Sequence, residues 1–79
     1  MRFRVQITRR PGIADPEGTT TAHALQELGF KEVTGVSFGR DITVEVDAED
    51  EDAAMTRIVE MCERLLANPV IEDYLVERM

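Results

Sequence analysis

Residues 33–47 read Val-Thr-Gly-Val-Ser-Phe-Gly-Arg-Asp-Ile-Thr-Val-Glu-Val-Asp, and this stretch decides the fold. Its second half alternates apolar with polar residues, which is typical of a strand with one buried face, and the apolar ones are Ile42, Val44 and Val46. Residues 33–38 predict a preceding strand. Gly39 and Arg40 fit a two-residue type II′ turn, with glycine at its first position. The stretch therefore predicts a β-hairpin.

A helix is predicted upstream of this hairpin. Asp15 can cap the free amides, and Pro16 has the backbone angle that suits the first helical position. Apolar residues then recur at helical spacing up to Leu28, and Gly29 fits a left-handed cap. We expect Phe30 to lie in the core, because this cap brings the next apolar side chain back onto the last turn.

Another strand is predicted at the start of the chain. Phe3, Val5 and Ile7 alternate with polar residues, and this alternation stops at Arg9-Arg10-Pro11-Gly12. Proline cannot donate a hydrogen bond to a sheet, and Pro-Gly favours a turn. The first strand is therefore followed by a loop.

Downstream of residue 47 the sequence predicts a second helix and a last strand. Four acidic residues, 49–52, stand where a helix N-terminus favours negative charge, and an apolar stripe of helical spacing follows them to about Leu66. Asn68-Pro69 ends the helix, because the residue before proline is disfavoured in helical conformation. Residues 70–76 are apolar and β-branched enough for a strand.

The order of elements is strand, helix, strand, strand, helix, strand. This order predicts an α+β, ferredoxin-like two-layer sandwich (βαββαβ), with an antiparallel sheet and two helices on one face. We expect a single domain over residues 1–79, because no linker, repeat or low-complexity segment interrupts the pattern.

Length and cysteine content favour self-association. A chain of 79 residues buries only about 60% of its unfolded surface, and such domains usually need disulfides, a metal or a partner. With one cysteine and one histidine, neither an internal disulfide nor a zinc site of the Cys/His type can form. A partner chain is the remaining source of stability.

The net charge of −7 argues against nucleic acid as the main partner, because the chain would repel a phosphate backbone. The charge is also uneven. Residues 1–40 carry six basic and four acidic residues (+2), whereas residues 41–79 carry three and twelve (−9). No apolar run approaches the roughly 18 residues of a membrane span, and no signal-peptide block opens the chain, so we expect a cytoplasmic protein.

No set of residues predicts catalysis. His23 lies within the first helix without an identifiable partner, and Cys62 belongs to the apolar stripe of the second helix, where a free cysteine packs as a small hydrophobe. Residues 47–52 are acidic but lack the spacing of a calcium-binding EF-hand. Arg9-Arg10-Pro11-Gly12 is a weak candidate for receiving a phosphate or an acidic surface. We therefore expect no catalytic, cofactor or metal site.

Three stretches together resemble a known family. They are Asp15-Pro16-Glu17-Gly18, Val36-Ser37-Phe38-Gly39-Arg40, and the thirteen residues from Cys62 to Tyr74, Cys-Glu-Arg-Leu-Leu-Ala-Asn-Pro-Val-Ile-Glu-Asp-Tyr. They resemble the PurS family, the small subunit of phosphoribosylformylglycinamidine synthase. The similarity covers nearly the whole chain.

The resemblance implies a non-catalytic subunit in purine biosynthesis. In this family a glutaminase (PurQ-type) releases ammonia, and a synthetase (PurL-type) uses ATP and magnesium to convert formylglycinamide ribonucleotide to formylglycinamidine ribonucleotide. The resemblance implies that the small subunit, as a homodimer or a tetramer, bridges the two and assists ammonia transfer, and that it binds no cofactor itself.

The resemblance also implies a partner interface at the residues shared with the family: Asp15, Pro16, Gly18, Gly39, Arg40, Asn68, Glu72 and Tyr74. Each has a local alternative as a plain cap, turn or helix stop. For the chain as a whole, the alternative is a free-standing dimeric module that binds a small ligand, since ferredoxin-like domains serve many unrelated functions. A glycine-rich ligand loop would favour this alternative, and none is visible.

Overall fold

The computed structural model describes all 79 residues and shows an α+β, ferredoxin-like fold. Three strands form one antiparallel sheet in the order β2-β1-β3. The elements are β1 (Arg2–Arg9), α1 (Pro16–Glu27), β2 (Gly39–Glu45), α2 (Glu51–Met61), a π-helical turn (Cys62–Leu66) and β3 (Glu72–Arg78). The predicted fold class and the first, third and last predicted strands are confirmed, the last with its start shifted from residue 70 to residue 72. No helix has the length and apolar character needed to cross a membrane.

The core lies between the central strand and the second helix. Phe3, Val5 and Ile7 of β1 are at most 1% exposed, and they pack against one side of α2 and the turn after it, at Ala54, Ile58, Cys62 and Ala67. Burial of each large aliphatic or aromatic side chain stabilises the fold by roughly 1.5–3 kcal/mol. The alternation in β1 therefore fixes which face of the sheet α2 covers.

The second helix begins as predicted and changes its winding before it ends. The Asp50 carboxylate accepts hydrogen bonds from the amides of Asp52 and Ala53 at 3.4 and 3.2 Å. At the other end, the Ala67 amide donates to the Cys62 carbonyl at 3.0 Å, one residue further back than in an α-helix. This π-helical turn leaves Leu65 83% exposed, although the apolar stripe had placed it inside.

The first helix has the predicted ends, but the prediction that it covers the sheet is wrong for the single chain. Asp15 caps it, and the amides of Gly29 and Phe30 donate to Gln26 and Leu25, which is the Schellman pattern with Gly29 at a φ of +107°. None of its residues joins the core cluster. Phe30 is 49% exposed, so its expected place in the core is also not found.

The predicted hairpin at residues 33–47 is not formed. Residues 33–38 pair with no strand, and Gly39 is the first residue of β2, opposite Thr8 and without a positive φ. A Cβ atom on Gly39 would lie 2.5 Å from the Ile7 carbonyl oxygen. Glycine stands here because the two backbones approach closely, and no turn is required.

The single chain is elongated. It measures 51 × 24 × 14 Å, and its radius of gyration is 16.2 Å, against about 12 Å for a compact domain of this length. Its accessible surface of 5788 Å² exceeds the roughly 4,800 Å² of a compact monomer of this mass. We call α1 and the residues that follow it, 15–38, the arm, because this part stands outside the core.

Candidate partner-binding surface

The structure brings most of the candidate interface residues to one end of the sheet. Gly39 lies opposite Thr8 and Glu72 lies opposite Arg9, so β2 and β3 both begin where β1 ends. The Asp15 side chain reaches the same region, because it accepts a hydrogen bond from the Phe38 amide. The C-terminal end of β1 therefore gathers residues that are up to 57 positions apart in the chain, from Asp15 to Glu72.

One network at this end joins β2, the exit of α2 and β3. The Arg40 guanidinium donates to the Glu72 carboxylate at 3.0 Å and to the Leu66 carbonyl at 3.2 Å. Glu72 also accepts from the Asn68 amide at 2.8 Å, and its side chain is only 16% exposed. Charge-assisted hydrogen bonds of this kind fix geometry more firmly than neutral ones. Arg40 and Glu72 therefore hold the ends of β2 and β3 in register with the helix exit.

Asn68 has a second role in the same network. Its side-chain oxygen accepts from the Val70 amide at 3.1 Å, and its carbonyl accepts from the amides of Ile71 and Glu72 at 3.1 and 2.8 Å. These bonds turn the chain from the π-helical turn into β3. The predicted helix stop at Asn68-Pro69 is thus a hydrogen-bonded turn that positions Glu72.

A second network fastens the arm. The two oxygens of the Asp15 carboxylate accept from the amides of Gly18, at 3.0 Å, and Phe38, at 2.8 Å. These hydrogen bonds, that of Phe38 first, lower the pKa of the Asp15 carboxyl. Gly18 faces the Val36 carbonyl so closely that a Cβ atom has no room there. Asp15 and Gly18 therefore hold residues 36–38 against the start of α1.

Between the two networks lies an open groove of about 320 Å³, lined by Arg9, Glu17, Phe38, Gly39, Arg40 and Glu72. The candidate interface residues predicted from the sequence do not include Arg9, Glu17 or Phe38. Glu17 and Phe38 stand within the stretches shared with the family, and Arg9 belongs to Arg9-Arg10-Pro11-Gly12, the weak candidate for receiving a phosphate or an acidic surface. Two arginines and two glutamates suit polar side chains of a partner protein better than an apolar small molecule.

Tyr74 does not line this groove. It lies on the face of β3 that α2 covers, opposite Ile7, and packs against the core. Burial raises the pKa of its hydroxyl, and the negative charge of Glu63 raises it further. Tyr74 therefore supports the sheet behind the groove.

The structure places the chemically reactive residues apart from each other. Cys62 is fully buried in the core, and burial, with a smaller effect of Glu63, raises the pKa of its thiol. His23 is exposed on α1, outside that core. No group of three or more His, Cys, Asp or Glu residues is arranged to hold a metal ion.

The sequence matches the family described as PurS, phosphoribosylformylglycinamidine (FGAM) synthase, over residues 2–79. Phosphoribosylformylglycinamidine synthase subunit PurS of Archaeoglobus fulgidus is 47% identical over 70 residues, which are 89% of this chain and 88% of that protein. The Bacillus subtilis subunit of the same name is 36% identical over 76 residues, covering 96% of this chain and 89% of that protein.

Solved structures agree with this match. The crystal structure of the PurS subunit of Thermotoga maritima superposes with a TM-score of 0.89 at 33% identity, covering 99% of this chain and 90% of that one. A chain of the PurLQS structure from the same organism gives a TM-score of 0.90 at 33% identity, over 99% and 95% of the two chains. The family match and the superpositions both cover nearly every residue of the chain. The chain therefore belongs to the PurS family.

Proposed function

We propose that this chain is the non-catalytic adaptor subunit of phosphoribosylformylglycinamidine synthase, bridging the glutaminase and the synthetase. The observation that carries the proposal is the cluster of polar residues at the end of the sheet where β1 ends and β2 and β3 begin. Two hydrogen-bonded networks fix the positions of its polar side chains. Such a surface suits the positioning of partner proteins.

The physical need for an adaptor comes from ammonia. Free ammonia is protonated in water near neutral pH, and the ammonium ion is not a nucleophile. Enclosure between two active sites therefore matters more than additional functional groups. A small rigid subunit meets this need if it holds the glutaminase and the synthetase together.

We propose that the subunit works in the cytoplasm as a homodimer or as a pair of homodimers. Residues 1–79 act as one domain. ATP and magnesium are bound by the synthetase partner. The small size of the core supports the homodimer, since only 9 of 79 residues are buried in the single chain.

We further propose that the partner contacts centre on the groove between the two networks. Gly39, Arg40 and Glu72 line this groove. Asp15 and Gly18 fasten Phe38 beside it, Pro16 begins α1 next to Glu17, Asn68 positions Glu72, and Tyr74 packs against the core behind it. The exposed carboxylate of Glu17 and the guanidinium of Arg40 offer both signs of charge to a partner, and such pairs contribute chiefly to specificity.

The experiment that tests the adaptor role is an omission assay. The synthetase and the glutaminase are assayed without this subunit, with either glutamine or ammonium chloride as nitrogen source. Loss of glutamine-dependent synthesis, with partial recovery in ammonium chloride, supports bridging. Undiminished glutamine-dependent synthesis contradicts it, and equal loss with both sources indicates a role in activating the synthetase instead.

The location of the contacts is tested by charge reversal on one helix. Glu17→Lys alters the groove, whereas Glu27→Lys alters the exposed far end of α1 as a matched control. We expect Glu17→Lys to weaken binding to the partner subunits at least tenfold and Glu27→Lys to leave it within twofold. Equal behaviour of the two variants would show that the partners bind elsewhere.

A further inference from the structure

Arg9 differs from the other arginines of the chain because it has no carboxylate partner. Seven of the eight arginines form an ion pair with a glutamate or an aspartate, and Arg9 is the exception. Acidic side chains are not scarce, since the chain has sixteen of them against nine basic residues. The neighbouring Arg10 pairs with Asp73 at 3.1 Å. The chain therefore leaves the Arg9 guanidinium unpaired.

The Arg9 side chain is nevertheless held in a definite position. Its Nη1 atom donates a hydrogen bond to the Ala14 carbonyl at 2.7 Å, across the loop that joins β1 to α1. A guanidinium carries five N–H donors, and Arg9 makes no second side-chain hydrogen bond within the chain. A side chain that is already anchored loses less conformational entropy on binding. Arg9 is thus preorganised for an acceptor from outside the chain.

Arg9 lines the groove at the end of the sheet, where the carboxylates near it differ in their contacts. Glu72 is already bound by Arg40 at 3.0 Å. The Asp15 carboxylate lies just outside the groove, and each of its oxygens already accepts a hydrogen bond from a backbone amide. Glu17 is exposed and forms no ion pair. Arg9 is therefore the one unpaired cation of this groove.

A single carboxylate suits Arg9 better than a phosphate group does. The planar guanidinium matches the two oxygens of a carboxylate. A phosphate group carries nearly two negative charges, so the carboxylates of Glu17 and Glu72 in the same groove would repel it more strongly. Phe38, which is 38% exposed, gives the groove one apolar wall for the methylene groups of an acidic side chain. The groove therefore fits an aspartate or glutamate side chain of another protein.

We propose that Arg9 binds an acidic side chain of the partner subunit that occupies the groove. The guanidinium receives the partner's carboxylate, while its bond to Ala14 keeps it in place. This inference rests on the proposed function, which supplies the partner subunits, and it adds the chemistry of one contact. Loss of Arg9 leaves the partner's carboxylate in the contact without a counter-charge, which lowers affinity.

The test measures binding of variants of the purified subunit to the synthetase and to the glutaminase. Arg9→Gln removes the unpaired guanidinium, and Arg10→Gln, the matched control, removes its ion-paired neighbour, which does not line the groove. We expect Arg9→Gln to raise the dissociation constant for one of the two partners at least tenfold. Arg10→Gln should change it less than twofold. Equal behaviour of the two variants would overturn the proposal.

Salt dependence separates a charge contact from support of the loop. Arg9 also holds the Ala14 carbonyl, and loss of that support alone would weaken binding equally at every salt concentration. For the proposed contact, the unsubstituted chain should lose more affinity than Arg9→Gln between about 0.05 and 0.3 M sodium chloride, because salt screens the ion pair. Equal salt dependence of the two proteins would also overturn the proposal.

Self-association and the omission assay distinguish the remaining outcomes. Light scattering should give the same self-association for Arg9→Gln and the unsubstituted chain, and a weaker dimer would assign the carboxylate to a second copy and contradict the partner contact. If Arg9→Gln binds both partners normally while omission of the subunit abolishes glutamine-dependent synthesis, this inference fails and the adaptor role stands. Undiminished synthesis without the subunit, together with the tenfold loss in Arg9→Gln, would contradict the adaptor role and support the contact.

Discussion

Cys62 is a packing residue, and its replacement should affect stability without affecting activity. The side chain is fully buried between α2 and β1, so Cys62→Ala leaves a small cavity and should lower the free energy of unfolding by about 1 kcal/mol. Glutamine-dependent synthesis by the complex should stay near that of the unsubstituted protein. Denaturant unfolding and the coupled assay measure the two effects.

The matched control for this prediction is His23→Ala. His23 is exposed on α1, so its removal should change neither the free energy of unfolding nor the activity appreciably. Loss of synthesis in a folded Cys62→Ala protein would contradict the structural role of the thiol. The same loss in His23→Ala would place that side chain in a partner contact.

The lowered pKa of Asp15 predicts that the folded chain loses stability as the pH falls into the acid range. Its pKa is lowered in the folded chain by the amides of Phe38 and Gly18, so the folded state binds the proton less readily than the unfolded state. The stabilisation is therefore present above the unfolded pKa of about 3.9 and is lost as the pH falls through the lower folded pKa. Asp15→Asn should be less stable at pH 5 and should lose less stability than the unsubstituted chain between pH 5 and pH 2.

The control for Asp15 is Asp47→Asn, because the Asp47 carboxylate is exposed and takes part in no ion pair or side-chain hydrogen bond of the chain. Its acid unfolding profile should follow that of the unsubstituted protein. Parallel profiles for all three proteins would mean that the Asp15 bonds do not hold the arm in solution.

At the scale of elements, the features that the sequence predicts correctly are those that depend on neighbouring residues, such as helix caps and strand alternation. The caps at Asp15 and Gly29, the acidic start of α2 and the alternation in β1 are found in the structure, because each depends on residues within one or two turns. The pairing of Arg40 with Glu72 depends on the register of β1 between two strands, and no local pattern contains that register. The family resemblance named both residues but not their contact.

The sequence did not predict two features correctly, the conformation of residues 33–38 and the π-helical turn at the end of α2, and each has a physical reason. The apolar residues within 33–38 indicate a strand, but their pattern cannot tell whether any partner strand belongs to the same chain. The apolar stripe of α2 fits a spacing of three and four, whereas the buried positions are Ala54, Ile58, Cys62 and Ala67, with five residues in the last interval. A π-helical turn adds one residue to the winding, and a fixed period does not include it.

The π-helical turn itself can be tested by deletion. Removal of Leu65 would bring Ala67 four residues after Cys62, so an α-helix could continue with the same buried face. We expect the shortened chain to keep its helix content by circular dichroism. Loss of helix content in the shortened chain would show that the π-helical turn is needed to bring Ala67 into the core.

At the scale of the whole molecule, shape rather than charge indicates a partner chain. The arm, residues 15–38, carries four acidic residues and one lysine, and residues 41–79 are acidic as well, so charge does not draw these two parts of the chain together. The elongated shape, 51 × 24 × 14 Å, leaves α1 outside the core of the single chain. Burial of this exposed surface by a partner would supply the stability that the small core lacks.

The size of the core predicts that stability depends on protein concentration. With only 9 of 79 residues buried in one copy, unfolding should be coupled to dissociation, and the melting temperature should rise with concentration by mass action. A tenfold increase is worth about 1.4 kcal/mol per dimer, and the unfolding entropy of two copies is about 330 cal/mol/K, which together give a rise of about 4 °C. Calorimetry over a hundredfold concentration range would measure about 8 °C. A constant melting temperature would mean that the elongated single chain is stable alone.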